Sequence, residues 1–417
     1  MKPLRVALSI FTTLAAACGG TSGTADATQA GSADAPPRPD AAPDAVVCLA
    51  PGSAAPLVRD LANPVLRAGH TYADGLRDLN ISDPNLTWDE AAQRFDLYYM
   101  GAHAQTFSDP SVQQIHHATS PDGASWAIGD TPALAAAPDP GAWDHVNTET
   151  PSVAFNPDAP ADRRYTLVYS GAASAFPNAG FASYAIGVAF SADGASFTRL
   201  PASESPHAQA GLVLTGADAY PTATGAIVAD PELVFVAGTY HLFFSSFACG
   251  AACPTATAFG VGHATSTDAV HWTVAEAPVA SLLRTPGVAT TGGGQPSVVY
   301  DPVHCQWEMW LTSDAAGETA AQPAAFNNMA GVWRATSPDA ITWQVDFAGA
   351  RDLAWDAAAP GEPLGLLTGA DVAIRGDERV IAYVGFDDLQ VPDGFFLPDH
   401  TSQGFRAGVM TLDLARR

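Results

Sequence analysis

The feature that most constrains the fold is a seven-residue stretch that recurs four times along the chain. Its copies are Ser120-Pro-Asp-Gly-Ala-Ser-Trp126, Ser191-Ala-Asp-Gly-Ala-Ser-Phe197, Ser266-Thr-Asp-Ala-Val-His-Trp272 and Ser337-Pro-Asp-Ala-Ile-Thr-Trp343. Their aspartates are about 70 to 75 residues apart, and self-similarity at a long, fixed period is typical of proteins built from repeated units. The pattern therefore predicts a series of similar structural units.

Each copy has the chemistry of a turn at the tip of a β-hairpin. The aspartate can accept hydrogen bonds from its own backbone, and the glycine that follows Asp122 and Asp193 can adopt a positive φ. Alanine follows Asp268 and Asp339 instead, so these two turns are expected to be more strained or differently shaped. The aromatic residue that closes each copy is bulky enough to wedge between neighbouring units.

Between the copies, each unit has the same order of strand patterns. An apolar strand opens at an acidic or polar residue beside a proline, an aromatic-rich alternating strand follows, and a third strand leads into the hairpin. Unit three shows this order with Ala229–Phe235, Tyr240–Phe244 and Phe259–His263. No segment shows the sustained period of an amphipathic helix.

Four strands per unit, repeated radially, is the plan of a β-propeller. A fifth, shorter unit contains three strand patterns, lacks the hairpin and lacks a fourth strand. We therefore predict an all-β, five-bladed β-propeller over residues 48–417. Its last blade is expected to be closed by an N-terminal strand within Leu57–Leu66, which would leave no open sheet edge.

The charge of the chain argues against several classes of partner. It has 18 basic and 43 acidic residues and a net charge of −25 at pH 7, which disfavours nucleic acid and anionic membrane surfaces. Lys2 is the only lysine, so the mature chain cannot use a lysine Schiff base or a P-loop lysine.

The first residues resemble a bacterial export signal. A short basic region, Met1–Arg5, precedes an apolar run, Val6–Ala17, that is too short to span a bilayer. Because Cys18 follows, residues 1–18 are expected to be a lipoprotein signal with lipidated Cys18; ordinary secretion is the alternative. Residues 19–47 are rich in Ala, Pro and Asp, and this composition predicts a disordered tether. We expect an outer-membrane lipoprotein or an extracellular protein, with a lipid anchor and no transmembrane helix.

Four cysteines remain beyond Cys18, and in an exported chain this number suggests two disulfides. Cys249 and Cys253 are close enough in sequence to staple one loop, which leaves Cys48 and Cys305 for a long-range disulfide. A zinc site is the weaker alternative, because the histidines lack convincing ligand spacing.

Several stretches resemble five-bladed propeller glycosidases. They are Pro296–Asp301 followed by Ala335–Asp339 and Trp343, then Pro140–Asp144, and Asn63–Leu66. The group is the arabinanase, levansucrase and invertase type, including glycoside hydrolase family 43, with the family 130 mannoside phosphorylases as relatives. A sialidase is the nearest alternative, but Gly123 and Gly194 come one residue too early for its Asp-box.

The first strand of every propeller blade lines the central axis, and here several of these strands open on acidic residues. The residues at the openings are Asp83, Glu149, Asp230 with Glu232, Gln295 and Asp371. Glycoside hydrolysis needs two carboxyl groups, one a protonated acid and the other a base or nucleophile. The openings therefore form a candidate active site in an axial funnel, although aspartates at strand starts also bind backbone amides.

The resemblance implies a role for each of these residues. Asp83 matches the first-blade base or nucleophile, and Asp230 matches the third-blade aspartate that orients substrate and tunes the acid. Gln295 replaces the fourth-blade glutamate that usually serves as general acid, and an amide cannot donate that proton. Three explanations stay open: Glu149 or Glu232 supplies the acid, a family-130-like scheme protonates through the substrate, or the propeller binds glycans without catalysis.

Polar and aromatic side chains near the openings are candidates for substrate binding, since sugar rings stack on aromatic faces. They are His145, Asn147, Glu232, Gln295, Asp371, Trp88 and His103. The sequence has no calcium loop and we expect no cofactor or metal, although some family 43 members carry an axial calcium. The expectation is a monomeric, exported glycoside hydrolase or, alternatively, a non-catalytic glycan-binding or surface interaction propeller.

Overall fold

Strands make up nearly all of the regular structure in the computed structural model. It describes residues 48–49, 56–105, 112–173, 184–222, 225–249, 256–275, 293–313, 331–345, 353–354, 368–387, 395–398 and 405–417. The strands are β1 (Val58–Arg59), β2 (Leu66–Arg67), β3 (Arg77–Asp89), β4 (Arg94–Ala104), β5 (Val112–Ser120), β6 (Ala127–Ile128), β7 (Asn147–Phe155), β8 (Tyr165–Ala172), β9 (Ala185–Ser191), β10 (Thr198–Arg199), β11 (Leu212–Leu214), β12 (Ala226–Val236), β13 (Thr239–Cys249), β14 (Ala256–Ser266), β15 (Thr273–Val274), β16 (Gly293–Asp301), β17 (Gln306–Ser313), β18 (Gly331–Ser337), β19 (Gln344–Val345), β20 (Leu353–Ala354), β21 (Thr368–Arg375), β22 (Glu378–Asp387), β23 (Phe395–Pro398) and β24 (Phe405–Arg416). The helical elements of these residues are a 3-10 turn, Ala161–Arg163, and α1, Gly216–Ala219.

The strands form five antiparallel sheets, which are the blades of a propeller. Blades 1 to 4 have the orders β3-β4-β5-β6, β7-β8-β9-β10, β12-β13-β14-β15 and β16-β17-β18-β19. The first strands β3, β7, β12, β16 and β21 contact one another around a closed ring, so they are the inner strands. The prediction of an all-β, five-bladed β-propeller is confirmed.

Blade 5 is completed by a segment from the other end of the chain. Its order is β1-β24-β22-β21, and β2 pairs with β24 as well. Between β1 and β2, the side chain of Asn63 accepts from the Leu414 N–H at 2.7 Å and donates to the Leu414 carbonyl at 2.8 Å. The predicted closure by an N-terminal strand within Leu57–Leu66 is confirmed, with β2 extending one residue further.

The repeated hairpins share one hydrogen-bond pattern. In the first copy, the Ser120 hydroxyl accepts from the Gly123 N–H at 2.8 Å, and Asp122 Oδ1 accepts from two following backbone amides. The residue after the aspartate has a positive φ in all four copies, 79° and 74° at the glycines and 60° and 62° at Ala269 and Ala340. The alanine turns therefore have the same shape as the glycine turns, and of the two expected outcomes it is the greater strain that the structure shows.

The alanine turns do adopt the strained left-handed conformation, which costs a residue other than glycine about 1–2 kcal/mol. The methyl groups of Ala269 and Ala340 are fully buried in apolar clusters between blades. Burial of one such carbon stabilises the fold by about 0.8 kcal/mol. Packing between blades therefore offsets much of the strain.

The aromatic residue that closes a hairpin packs against the preceding blade. Phe197 of blade 2 lies 5.9 Å from Tyr98 of blade 1, and Trp343 of blade 4 lies 5.9 Å from Phe243 of blade 3. Both pairs meet edge to face, the arrangement that the charge distribution of aromatic rings favours. The predicted wedge between units is confirmed at these two interfaces.

The alternation of strand directions gives the propeller two distinct ends. In each blade the first strand runs towards a turn, the second returns, and the third runs back to the turn side, where the repeated hairpins of blades 1 to 4 lie. We call the end that carries these turns and hairpins the turn end, and the opposite end the mouth end. Acidic strand openings such as Asp83 lie towards the mouth end.

A disulfide fastens the N-terminal side of the propeller to the turn end. Cys48 and Cys305 are joined, with their Cα atoms 5.5 Å apart, and the adjacent Leu49 N–H donates to the Val303 carbonyl at 3.0 Å. The predicted long-range disulfide is confirmed. The predicted Cys249–Cys253 bridge falls outside the described residues at Cys253, and Cys18 with residues 1–47 lies outside them as well. Within the described ranges, no helix is long and apolar enough to cross a membrane.

Candidate functional site

Each inner strand carries a bulge towards the mouth end. The residue at the bulge has a φ between 47° and 55° and interrupts the pairing with the second strand of its blade. These bulge residues are Asp83, Thr150, Asp230, Gln295 and Gly369. Such a backbone costs a residue other than glycine ~1–3 kcal/mol and is concentrated at functional sites. The bulges also give an exact structural alignment of the five blades, which the sequence alone did not provide.

The bulges surround a recess on the propeller axis, about 40 Å³ in volume. That volume admits a water molecule or a hydroxyl group between the side chains. Predicted site residues that line it are Asp83, Asp230, Glu232, Gln295 and Asp371. The structure therefore brings these five predicted residues together around one recess.

The sequence pattern suggested that the five strand openings are equivalent. In the structure they are not. Asp83, Asp230 and Gln295 are bulge residues, whereas Glu149 precedes the bulge residue of blade 2 by one position. Glu232 and Asp371 follow the bulge residues of blades 3 and 5 by two positions. The acidic side chains therefore occupy three different levels of the axis and have different partners.

The residue two positions after each bulge belongs to a closed circle of hydrogen bonds, which we call the belt. Its members are Asn85, Ser152, Glu232, Ser297 and Asp371. Each side chain accepts from a backbone N–H of the next blade, at 2.5 to 3.2 Å, and the Asp371 bond to the Leu86 N–H closes the circle. The carboxyl groups of Glu232 and Asp371 thus hold blades together. This arrangement favours Glu149 over Glu232 as a candidate acid.

Burial shapes the charge of the belt. It raises the pKa of Asp371 to about 7, against hydrogen bonds that include one from the Ser297 hydroxyl at 2.7 Å. Burial, together with the charge of Asp371, raises the pKa of Glu232 well above its ordinary value. The two acids therefore do not both carry a full charge at neutral pH.

Three carboxyl groups from consecutive blades interact at the mouth end. Burial and the Asp230 charge raise the pKa of Asp83 to about 7, while the Ser82 hydroxyl, which donates to Asp83 Oδ2 at 2.7 Å, opposes the rise. Burial and the charges of Asp83 and Asp230 raise the pKa of Glu149 to about 8. Burial also raises the pKa of Asp230. Burial, reinforced by repulsion between the carboxylates, therefore favours retention of a proton in this trio at neutral pH, most strongly on Glu149.

Glu149 has a partner that sequence reasoning missed. The hydroxyl of Tyr184, directly before β9, donates to the Glu149 carboxyl and accepts from Asn147 Nδ2 at 2.8 Å. The predicted residue Asn147 is buried and therefore supports the candidate acid through Tyr184. His145 is half-buried and donates from Nδ1 to the Ala137 carbonyl at 2.7 Å. One indication of Tyr184 in the sequence is that it is an aromatic residue near the end of the polar and aromatic stretch 176–185.

Gln295 links three blades through its backbone and side chain. Its N–H donates to the Ser245 hydroxyl of blade 3 at 2.8 Å, and its Oε1 accepts from the Gly369 N–H of blade 5 at 3.1 Å. The side chain therefore fixes the neighbouring bulge, and it has no acidic proton to donate. Blade 4 supplies no general acid at this position.

Four predicted binding residues are not among those that line the recess: His145 and Asn147, described above, and His103 and Trp88. The His103 ring is buried in blade 1, 5.1 Å from Tyr72 and 5.7 Å from His116, and burial lowers its pKa. Trp88 lies five residues beyond Asp83 on β3, which is roughly 16 Å along a strand, and it lines cavities nearer the turn end. The positions of His103 and Trp88 do not support a role beside the carboxyl trio.

The described side chains do not fit a metal centre. Among them, no group of three or more His, Cys, Asp or Glu residues has a geometry that could hold a metal ion. The axial oxygens of the belt are bonded to backbone amides instead. We therefore assign no chemistry to an axial calcium.

The fold is that of several solved carbohydrate-active proteins. A family 117 glycoside hydrolase from the marine bacterium Zobellia galactanivorans aligns at a TM-score of 0.52 and 14% identity, over 86% of this chain and 89% of its own. An N-acetylgalactosamine deacetylase from F. plautii, solved with blood group B trisaccharide, aligns at a TM-score of 0.52 and 12% identity, over 87% of this chain and 94% of its own. A further structure, of a glycoside hydrolase, aligns at a TM-score of 0.53 and 12% identity, over 84% of this chain and 92% of its own.

These likenesses show the fold. No protein-family model and no curated protein matches the sequence. Because one propeller scaffold carries both a hydrolase and a deacetylase, function has to be argued from the site itself.

Proposed function

We propose that this protein is a glycoside hydrolase whose active site is the axial recess at the mouth end. The observation that carries the proposal is the trio of Asp83, Glu149 and Asp230, three carboxyl groups from three blades whose pKa values burial raises. Asp83 and Asp230 line the recess, and Glu149 directly precedes Thr150, which lines it as well. Hydrolysis of a glycosidic bond requires one carboxyl group that is protonated and one that is ionised. A fold shared with carbohydrate-active proteins supports the same conclusion.

Glu149 suits the role of general acid. Its pKa of about 8 keeps it protonated at neutral pH, so it can protonate the oxygen of the leaving sugar. When the proton has gone, the Tyr184 hydroxyl donates a hydrogen bond to the new carboxylate. This assignment places the acid in blade 2 and explains how the site dispenses with a fourth-blade glutamate.

Asp83 suits the role of base or nucleophile. It occupies a strained bulge position on the wall of the recess, and its pKa of about 7 is lower than that of Glu149. It therefore ionises before Glu149, as an attacking carboxylate or a base must. The Asp230 charge contributes to the raised pKa of both neighbours, and the Asp83 charge raises the pKa of Glu149 further, so Glu149 keeps its proton after Asp83 has lost its own.

A non-catalytic glycan-binding propeller is the alternative function. The observation in its favour is Gln295, which occupies the blade 4 bulge and cannot act as an acid. A protein of this kind would bind glycans at the recess without cleaving them.

A substrate screen separates the two functions. Purified protein is incubated with arabinan, fructan and mannoside substrates, released sugar is measured, and Asp83→Ala serves as the test variant. Asp339→Asn, at a hairpin on the turn end, serves as the matched control. We expect turnover by wild type and by the control, with a loss of at least ~10²-fold in Asp83→Ala. Equal turnover by Asp83→Ala would refute the hydrolase, and binding without turnover would establish the alternative.

We also propose that the protein is an exported monomer with a lipid anchor at Cys18. The Cys48–Cys305 disulfide supports export, because such bonds persist in oxidising compartments. Mass spectrometry of the mature N-terminus tests lipidation, with Cys18→Ser expected to abolish the lipid mass and release the protein from membranes. Light scattering on a sizing column tests the monomer, and a dimer mass would contradict it.

A further inference from the structure

A second cavity, of about 210 Å³, lies between blades 1 and 2 at the turn end. We call it the turn-end pocket. It is separate from the recess: Phe155, on its wall, lies five residues beyond the bulge residue Thr150, or ~16 Å along β7. The roles proposed for the carboxyl trio do not involve it, and ligand binding in this pocket does not depend on the proposed function.

Aromatic rings form much of the wall of the turn-end pocket. Phe155 and Tyr165 are directly paired across β7 and β8, with ring centroids 4.9 Å apart. Phe155 is 49% exposed, although the same strand buries Val153. Trp88 contributes a third ring from β3. An exposed phenylalanine in a concave, ring-lined cavity offers a π-face to a ligand.

One ion-pair network in the pocket is already balanced. Arg94 Nη2 lies 3.1 Å from Asp96 Oδ1, and His117 Nε2 lies 2.7 Å from the same carboxyl group. Despite burial, hydrogen bonds from His117 and Arg94 hold the pKa of Asp96 below its ordinary value. The Arg94 charge is therefore largely offset by Asp96, which weakens its attraction for an anionic ligand.

Two further carboxylates on the wall, Asp89 and Asp193, form no salt bridge in the described part of the chain, although the charge of Asp89 adds to the effect of Asp96 in raising the pKa of Arg94. Asp89 and Asp193 each use Oδ1 to accept from backbone amides of their own turns, and within the described residues neither Oδ2 accepts a hydrogen bond. The Ala195 amide and the Ser191 hydroxyl hold the pKa of Asp193 below its ordinary value. The pocket therefore combines aromatic faces with an excess of negative charge.

We propose that the turn-end pocket binds a compact organic ammonium group. The faces of aromatic rings attract a cation through their negative charge density, and Asp89 and Asp193 add a direct charge attraction. An anion would be repelled, and a neutral sugar would gain no charge attraction from Asp89 and Asp193. A cavity of about 210 Å³ has room for a choline-sized head group or an amino sugar. These are two sources of the same ammonium chemistry.

Calorimetric titration of the full, disulfide-bonded protein tests the proposal with two matched ligand pairs. Choline is compared with its neutral isostere 3,3-dimethylbutan-1-ol, and glucosamine with glucose. We expect at least one cation to bind and its neutral counterpart to bind at least ~5-fold more weakly. Binding of choline alone identifies a quaternary head group, and binding of glucosamine alone identifies an amino sugar. Binding of neither cation, or equal binding of both members of each pair, overturns the proposal.

Two variants locate the binding to this pocket. Asp193→Asn retains the Oδ1 acceptor of its turn while removing the charge, and Asp339→Asn is the same change in the blade 4 hairpin. We expect Asp193→Asn to weaken cation binding roughly 3- to 10-fold and Asp339→Asn to leave it unchanged. Phe155→Ala, with Phe235→Ala at the equivalent position of blade 3 as control, is expected to weaken it roughly 3- to 30-fold. Equal effects of variant and control in both pairs would overturn the assignment.

Discussion

Removing the Ser297 hydroxyl should open the belt at one point. In the wild type this hydroxyl donates to Asp371 Oδ1 at 2.7 Å and accepts from the Val372 N–H at 3.0 Å, and all three residues are buried. Ser297→Ala leaves the Val372 N–H without its acceptor, which costs ~1–3 kcal/mol, and removes one donor from Asp371, which costs about 1 kcal/mol more. We therefore expect the free energy of unfolding to fall by ~2–4 kcal/mol.

Urea denaturation followed by fluorescence measures this loss. Ser196→Ala, at an exposed hairpin position, is the matched control and should change the free energy of unfolding by less than about 0.5 kcal/mol. Hydrogen exchange adds a local readout, since the Val372 amide should exchange faster in Ser297→Ala. If Ser297→Ala unfolds at the same urea concentration as Ser196→Ala, the belt does not stabilise the ring and our account of Glu232 and Asp371 fails.

Four further variants test other parts of the structure. The pKa of Glu149 is raised from 4.5 to about 8, so the stability that Glu149 contributes is full below pH 4.5 and is lost as the pH rises through about 8. The difference in unfolding free energy between Glu149→Gln and wild type should therefore shift in favour of the variant by ~1–4 kcal/mol between pH 4 and pH 9. A difference in thermal melts that does not depend on pH would contradict this. Ala269→Gly should change the unfolding free energy by less than ~1 kcal/mol, because strain relief and methyl loss offset each other. Gly123→Ala should lower the unfolding free energy by at least ~1 kcal/mol, because its Cβ would collide with Arg416. Equal urea midpoints for Gly123→Ala and Ala269→Gly would refute this difference between the two turns. Replacing Cys48 and Cys305 together by serine should lower the unfolding free energy by ~3–5 kcal/mol, and an unchanged midpoint would show that the disulfide does not stabilise the propeller.

The repeated hairpin allowed the fold to be predicted from the sequence. Its Ser-x-Asp pattern fixes a turn through local hydrogen bonds, so Asp122 and its counterparts mark one equivalent point in each blade. Counting these points, with the unpaired fifth unit, gave the number of blades and the need for a closing strand. Local chemistry was sufficient because the hydrogen bonds that define each turn form within the seven-residue repeat itself.

The alignment of the site could not be predicted at the level of single residues. A bulge adds one residue to a strand, and the side chains that follow it change face. Its position is visible in backbone φ at Thr150 and Gly369, where no acidic residue marks it. The sequence therefore grouped Glu149 with Asp371, although the first lies before its bulge and the second belongs to the belt.

Partners from distant segments were also beyond the reach of the sequence. Tyr184 reaches Glu149 only because β9 and β7 lie in the same blade, on either side of β8. Trp88 had the composition of a sugar-stacking residue, but strand length carries it to the turn end. Such contacts depend on the register of whole strands, and local patterns do not fix that register.

The pH dependence of kcat/KM for wild type and Glu149→Gln on aryl glycosides is the most direct test of the central claim. We expect the wild-type rate to fall above pH 8, as Glu149 loses the proton that the leaving group requires. In Glu149→Gln this alkaline fall should be absent, and hydrolysis should be ~10²–10⁴-fold slower for a poor leaving group but nearly normal for dinitrophenol, which needs no protonation. If Glu149→Gln keeps the alkaline fall and loses the same factor with both leaving groups, Glu149 is not the acid and the proposed active site is wrong.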